Sequence, residues 1–108
     1  MEDCRLTVTG SSQQMDALDQ FCREYGVATA RGVVSAYEGV AVTLFAVYIT
    51  APPDALCQCV SAYFGGRTEP LEVTYFAPGK GTRVIQDFSP DGVATVLGAT
   101  DQLRVENA

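Results

Sequence analysis

Between Gly32 and Gly66 only two side chains carry a formal charge, Glu38 and Asp54. The chain as a whole has seven Lys and Arg against thirteen Asp and Glu, so its apolar material is concentrated in this one central stretch. Segments without charge are burial material. Val33–Val34 and Val40–Thr50 read as two strands joined at Glu38–Gly39, with Gly able to take positive φ in a two-residue turn. Asp54–Phe64 reads as a helix that is apolar nearly all the way round, with only Gln58 and Ser61 polar after Asp54. This is more apolar surface than one small core consumes. The excess predicts a second buried surface, against a partner or another copy of the chain.

The flanking segments are more conventionally patterned. Cys4–Thr9 alternates, with Cys4, Leu6 and Val8 on one side and Arg5, Thr7 and Thr9 on the other, the period of a half-buried strand. Ser11 or Ser12 can cap a helix that runs to Tyr25 and ends at Gly26. Its Met15, Leu18, Phe21, Cys22 and Tyr25 are expected on one face, with Asp16, Asp19 and Arg23 toward water. If the hairpin turns at Glu38–Gly39, paired residue numbers sum to 77. Gly32 then lies opposite Phe45, and Ala28, Ala30, Gly32, Val34, Phe45, Val47 and Ile49 share the core face. Arg31, Val33, Tyr37, Val40, Val42, Leu44 and Tyr48 would line the opposite, amphipathic face.

Pro52-Pro53-Asp54 opens the second helix and Gly65-Gly66 closes it. Leu71–Phe76 and Arg83–Phe88 read as a hairpin about Pro78-Gly79-Lys80-Gly81, Ser89-Pro90-Asp91 as the start of a short helix, and Gln102–Val105 as a final strand. Residues 1–108 are expected to form a single α+β domain. The order strand, helix, hairpin, helix, strand over about residues 4–76 resembles the ferredoxin-like two-layer sandwich, an antiparallel sheet with its helices on one face and the other face open. A C-terminal hairpin and a short helix would be added to that core.

Charge narrows the class of partner. The net charge of −6 disfavours binding to nucleic acid or anionic membrane, since no cluster of Lys and Arg is available to neutralise phosphates, and favours a basic protein surface. No apolar run approaches the length of a membrane-spanning helix. Met1-Glu2-Asp3 lacks the basic start of a secretory signal, so a cytoplasmic location is expected. Cys4, Cys22, Cys57 and Cys59 sit in apolar-patterned segments and read as buried free thiols.

Familiar catalytic patterns are missing from the residues. There is no histidine, which removes the commonest general base. Cys57 and Cys59, two apart on a helix, point about 200° from one another and cannot grip one metal. Gly79-Lys80-Gly81-Thr82 lacks the strand-to-helix context of a phosphate loop and reads as a turn. Lys80, Arg83 and Arg67 form at most a small basic spot. No cofactor, metal site or catalytic residue is expected.

The reading is a non-enzymatic, acidic protein-binding module, an inhibitor or immunity-type protein that engages a basic partner and is itself expected to be a homodimer. In size and charge it resembles phage-encoded anti-CRISPR proteins, a resemblance that implies blockade of nucleic-acid machinery without direct contact with nucleic acid. Its contact face would be Arg31, Val33, Tyr37, Glu38, Val40, Val42, Leu44 and Tyr48, with Asp16, Asp19 and Glu24 steering the encounter. The alternative is similarity to ACT-like modules, which implies a dimeric regulatory domain that binds a small molecule at a turn such as Thr9-Gly10-Ser11-Ser12.

Overall fold

The structure, a computed structural model, describes residues 2–35, 43–67 and 71–107. Its elements follow in the order β1 (Cys4–Gly10), α1 (Ser12–Tyr25), β2 (Ala28–Ser35), β3 (Thr43–Ala51), α2 (Pro53–Gly65), β4 (Leu71–Ala77), β5 (Gly81–Val84), α3 (Pro90–Leu97) and β6 (Gln102–Asn107). The proposed turn at Glu38–Gly39 lies outside the described residues.

Local chemistry sets the helix ends. Ser11 caps α1 by accepting from the Gln14 amide, while the Gln14 side chain returns a bond to the Ser11 amide, a reciprocal box that satisfies two otherwise orphaned donors. Gly26 closes α1 at φ 98°, a left-handed position that glycine takes without Cβ strain. Pro53 opens α2, and Ser89 caps α3 by accepting from the Gly92 amide.

The strands form one mixed sheet in the order β2-β3-β1-β6-β4-β5. The α+β class is as expected, and β1, α1, β2 and β3 form a split β-α-β unit. The wholly antiparallel sheet is not found. β6 lies between β1 and β4, parallel to β1 and antiparallel to β4. The C-terminal strand can occupy the centre of the sheet because Leu103 and Val105 alternate inward and are buried there, level with Val8 and Val73.

The pairing of β2 with β3 also differs from expectation. Gly32 pairs with Ala46 and Ala30 with Tyr48, so paired numbers sum to 78, one more than predicted. A slip of one residue moves every side chain of a strand to the opposite face. Phe45, Val47 and Ile49 stay on the helix side as predicted, but they are joined there by Thr29, Arg31 and Val33; Ala28, Ala30, Gly32 and Val34 face the other way.

Among the described residues the three helices all pack on that one side of the sheet. A single core unites Leu6, Val8, Val47, Ile49, Val73, Leu103 and Val105 of the sheet with Met15, Leu18 and Cys22 of α1, Leu56, Cys59 and Val60 of α2, and Val93 and Val96 of α3. Each large aliphatic side chain buried here contributes about 1.5–3 kcal/mol. Across the helix layer the rings of Tyr25, Phe21, Tyr63, Phe64 and Phe88 follow one another at centroid distances of 5.9, 5.1, 4.9 and 5.7 Å. The cysteines divide between the two environments. Cys22 and Cys59 are buried as predicted, whereas Cys57 is partly accessible and Cys4 is exposed, because it starts β1 beyond the edge of the core.

Candidate interaction site

With every helix on one side, the opposite face of the sheet is left without a covering element among the described residues. Strand alternation assigns its side chains: Arg5, Thr7 and Thr9 from β1; Val34 from β2; Leu44, Ala46 and Tyr48 from β3; Gln102, Arg104 and Glu106 from β6; Glu72, Thr74 and Phe76 from β4; Thr82 and Val84 from β5. The twisted sheet curls this face into a groove of about 730 Å³ with Val34 and Leu44 at one end and Phe76 and Val84 at the other. Phe76 is 62% exposed and Val84 43% exposed. On the floor, Thr74 is buried, and the Thr9 hydroxyl donates to the Leu103 carbonyl at 3.4 Å.

The groove is lined by three carboxylates, Glu72, Asp101 and Glu106, against one cation, Arg104. Arg104 is held by Glu106 at 3.1 Å, so Glu72 and Asp101 give the groove an excess of negative charge.

Tyr48 is fixed on this face. A Cβ at Gly32 would stand 2.6 Å from its ring, so the ring lies on bare backbone that only glycine provides at that point. Arg5 closes over the ring from the other side, its guanidinium carbon 4.4 Å from the centroid, a cation–π contact worth about 0.5–1 kcal/mol at an exposed site. The expected register sets Phe45 opposite Gly32; the observed one pairs Gly32 with Ala46 and lays the Tyr48 ring against it.

The predicted contact residues are divided by the structure. Leu44 and Tyr48 lie on the open face. Arg31 and Val33 lie on the helix side of edge strand β2. There Arg31 is engaged by Asp16 at 2.7 Å and Asp19 at 3.7 Å, and Val33 is 59% exposed. Tyr37, Glu38, Val40 and Val42 lie outside the described residues. Of the steering carboxylates, Asp16 and Glu24 are exposed on α1, on the side of the sheet away from the groove. Asp19 was expected in water but is 7% exposed. It accepts from the Thr29 hydroxyl at 2.6 Å and from Arg23 at 3.2 Å, because it projects into the seam between α1 and β2. Its charge is compensated locally.

Phe76, Val84, Glu72, Arg104 and Glu106 were not singled out from the sequence, although Phe76 carried a signal. In Leu71–Phe76 the alternation puts it in phase with Glu72 and Thr74, so a large apolar side chain sits on the polar phase of its strand. Arg67 stacks on the Tyr63 ring at 4.9 Å, whereas Lys80 and Arg83 lie exposed on the β4–β5 hairpin. Thr9-Gly10-Ser11-Ser12 is the turn from β1 into α1, and Ser11 is occupied by the helix cap.

Two further clefts open on the helix side. One of about 660 Å³ lies between the end of α2, β4 and Phe88. The other, about 510 Å³, lies between the start of β1, α2 and the end of α3, and Cys4, Asp54, Cys57 and Asp101 border it. Burial, reinforced by the negative charge of Asp54, raises the Cys57 thiol above its ordinary value of 9.0. Among the described residues no helix is long and apolar enough to cross a membrane, and no group of three or more Cys, Asp or Glu is placed to hold a metal ion. Comparison with protein-family models, curated proteins and solved structures finds no match to this chain.

Proposed function

We propose that this chain is a protein-binding module, of inhibitor or immunity type, whose open sheet face receives a segment of a partner protein bearing apolar and cationic side chains. The observation that carries this reading is the exposure of Phe76 and Val84 within a groove whose lining carries three carboxylates and one arginine. Exposed aromatic and aliphatic side chains in a concavity are typical anchors, and charges around them set partner choice and encounter rate. A second copy of the chain is a poorer occupant, since face-to-face pairing would set Glu72 and Asp101 against their own counterparts. Blockade of the partner's own interactions is what such a contact would achieve.

Photo-crosslinking from p-benzoylphenylalanine tests this in cells that produce the protein. Incorporated at Phe76 it should capture a basic protein; incorporated at Tyr25, an exposed aromatic on the helix side, it should not. Capture of the chain's own copy at position 76, together with a dimer mass by light scattering, would replace this reading with homodimerisation. Absence of any product above the Tyr25 background would refute it.

A further inference from the structure

Behind the open face, Cys22 of α1 and Cys59 of α2 meet in the helix layer with their Sγ atoms 3.7 Å apart, and both are 0% exposed. We infer that these two thiols are a redox-active pair that peroxide converts, in the folded protein, to a disulfide joining α1 to α2. A disulfide bond is about 2.05 Å long, so the sulfurs must approach by about 1.7 Å from their observed 3.7 Å. Rotation about χ1 of two small side chains covers much of that distance.

Either sulfur can donate its proton to the other across this contact. Cys22 is held above the ordinary thiol value by its bond to Cys59 and by burial, while the same bond lowers Cys59. Whichever sulfur loses its proton first attacks and the other resolves the product; the lowered one is Cys59. Its thiolate attacks one oxygen of hydrogen peroxide, the S–O bond forms as the O–O bond breaks, and hydroxide leaves to take up a proton as water. Cys22 then attacks the Cys59 sulfenic acid. The S–S bond forms as the S–O bond breaks, and the departing hydroxide takes the Cys22 proton. Two thiols and one peroxide become one disulfide and two waters, the thiols supplying both electrons. Peroxide is small enough to enter when the helices part transiently, whereas a bulky disulfide oxidant is not.

The bridge would span 37 positions of chain, a segment that includes β2 and β3. Closing a loop of that length restricts the unfolded chain and raises thermal stability. The inference is independent of the binding reading, since neither sulfur lies on the open face.

The test uses the full chain with Cys4→Ser and Cys57→Ser, which removes the two accessible thiols. The reduced protein is treated with stoichiometric hydrogen peroxide and quenched with N-ethylmaleimide. Expected are an intact mass lower by two hydrogen atoms, a proteolytic peptide pair linked through Cys22 and Cys59, and a melting temperature raised by about 5 °C or more that dithiothreitol reverses. The same linked pair is expected in the unsubstituted protein. Addition of oxygen without a link, two thiols still free after treatment, or a link in the unsubstituted protein only between Cys4 and Cys57 would overturn the inference.

Discussion

At the scale of single residues, Asp19 is the clearest case of a charge the fold has taken inside. It lies four positions after Met15 and three before Cys22, and so on the apolar stripe of α1. A carboxylate there is tolerable only with partners. Thr29, Arg23 and Arg31 supply them. The stripe was legible in the sequence; the partners were not, because two of them come from β2 and depend on its register. Asp19→Ala leaves the Thr29 hydroxyl without its acceptor in the α1–β2 seam, while Arg31 keeps Asp16, and is expected to cost about 2 kcal/mol in urea unfolding. Asp16→Ala breaks only an exposed pair and should cost less than about 1 kcal/mol. Equal losses would mean that Asp19 is not the organising charge.

The accessible thiols give a second prediction at this scale. A thiol whose folded pKa lies above its unfolded value is favoured in its neutral form by the fold. Cys57 therefore contributes stability below about pH 9, which is lost as pH rises through its folded value. Its alkylation by iodoacetamide should reach half-maximal rate above 9.0, the ordinary thiol value. A midpoint at or below that value would show that Cys57 is neither desolvated nor under the influence of Asp54.

At the scale of elements, helix ends were the most readable features. Ser11, Gly26, the Pro52–Pro53 pair and Ser89 act through their own backbone chemistry, which needs no knowledge of the rest of the fold. The β2–β3 register was not readable to better than one residue. Ala28, Ala30 and Gly32 on one phase and Thr29, Arg31 and Val33 on the other give little contrast between faces, and an amphipathic strand at a sheet edge specifies its register weakly. The ring of Tyr48 over Gly32 supplies some of the missing specificity. Gly32→Ala tests this. Removing a strand glycine ordinarily gains about 0.5–1 kcal/mol. Here the new methyl group would displace the ring and open its contact with Arg5, so a net loss of about 1 kcal/mol is expected, with altered Tyr48 ring resonances in NMR spectra. A more stable protein with unchanged Tyr48 resonances would place the ring elsewhere.

At the scale of the whole molecule, the alternation of Gln102–Glu106 marked a strand, but nothing local to it said that it would lie between β1 and β4. Strand order is a property of how buried faces are shared among distant segments, and Leu103 and Val105 find both neighbours only in the assembled sheet. The candidate site inherits that difficulty. Its charged members, Glu72, Arg104 and Glu106, adjoin Thr9 and Leu44 only because β6 bridges the two halves of the sheet. The expectation of a sheet face left open by the helices could be reached from the order of elements; its composition could not.

The account rests most on the open face as the docking surface, and the affinity of the partner captured at position 76 tests it directly. The dissociation constant should be measured for the unsubstituted chain, Phe76→Ala and Glu72→Lys/Glu106→Lys, at ionic strengths giving Debye lengths of about 10 and 3 Å. Phe76→Ala is expected to weaken binding by about tenfold or more at both ionic strengths, through faster dissociation. The charge reversal should weaken binding at the longer screening length and approach the unsubstituted value at the shorter. Affinities that neither substitution changes, at either ionic strength, would contradict the assignment of this face.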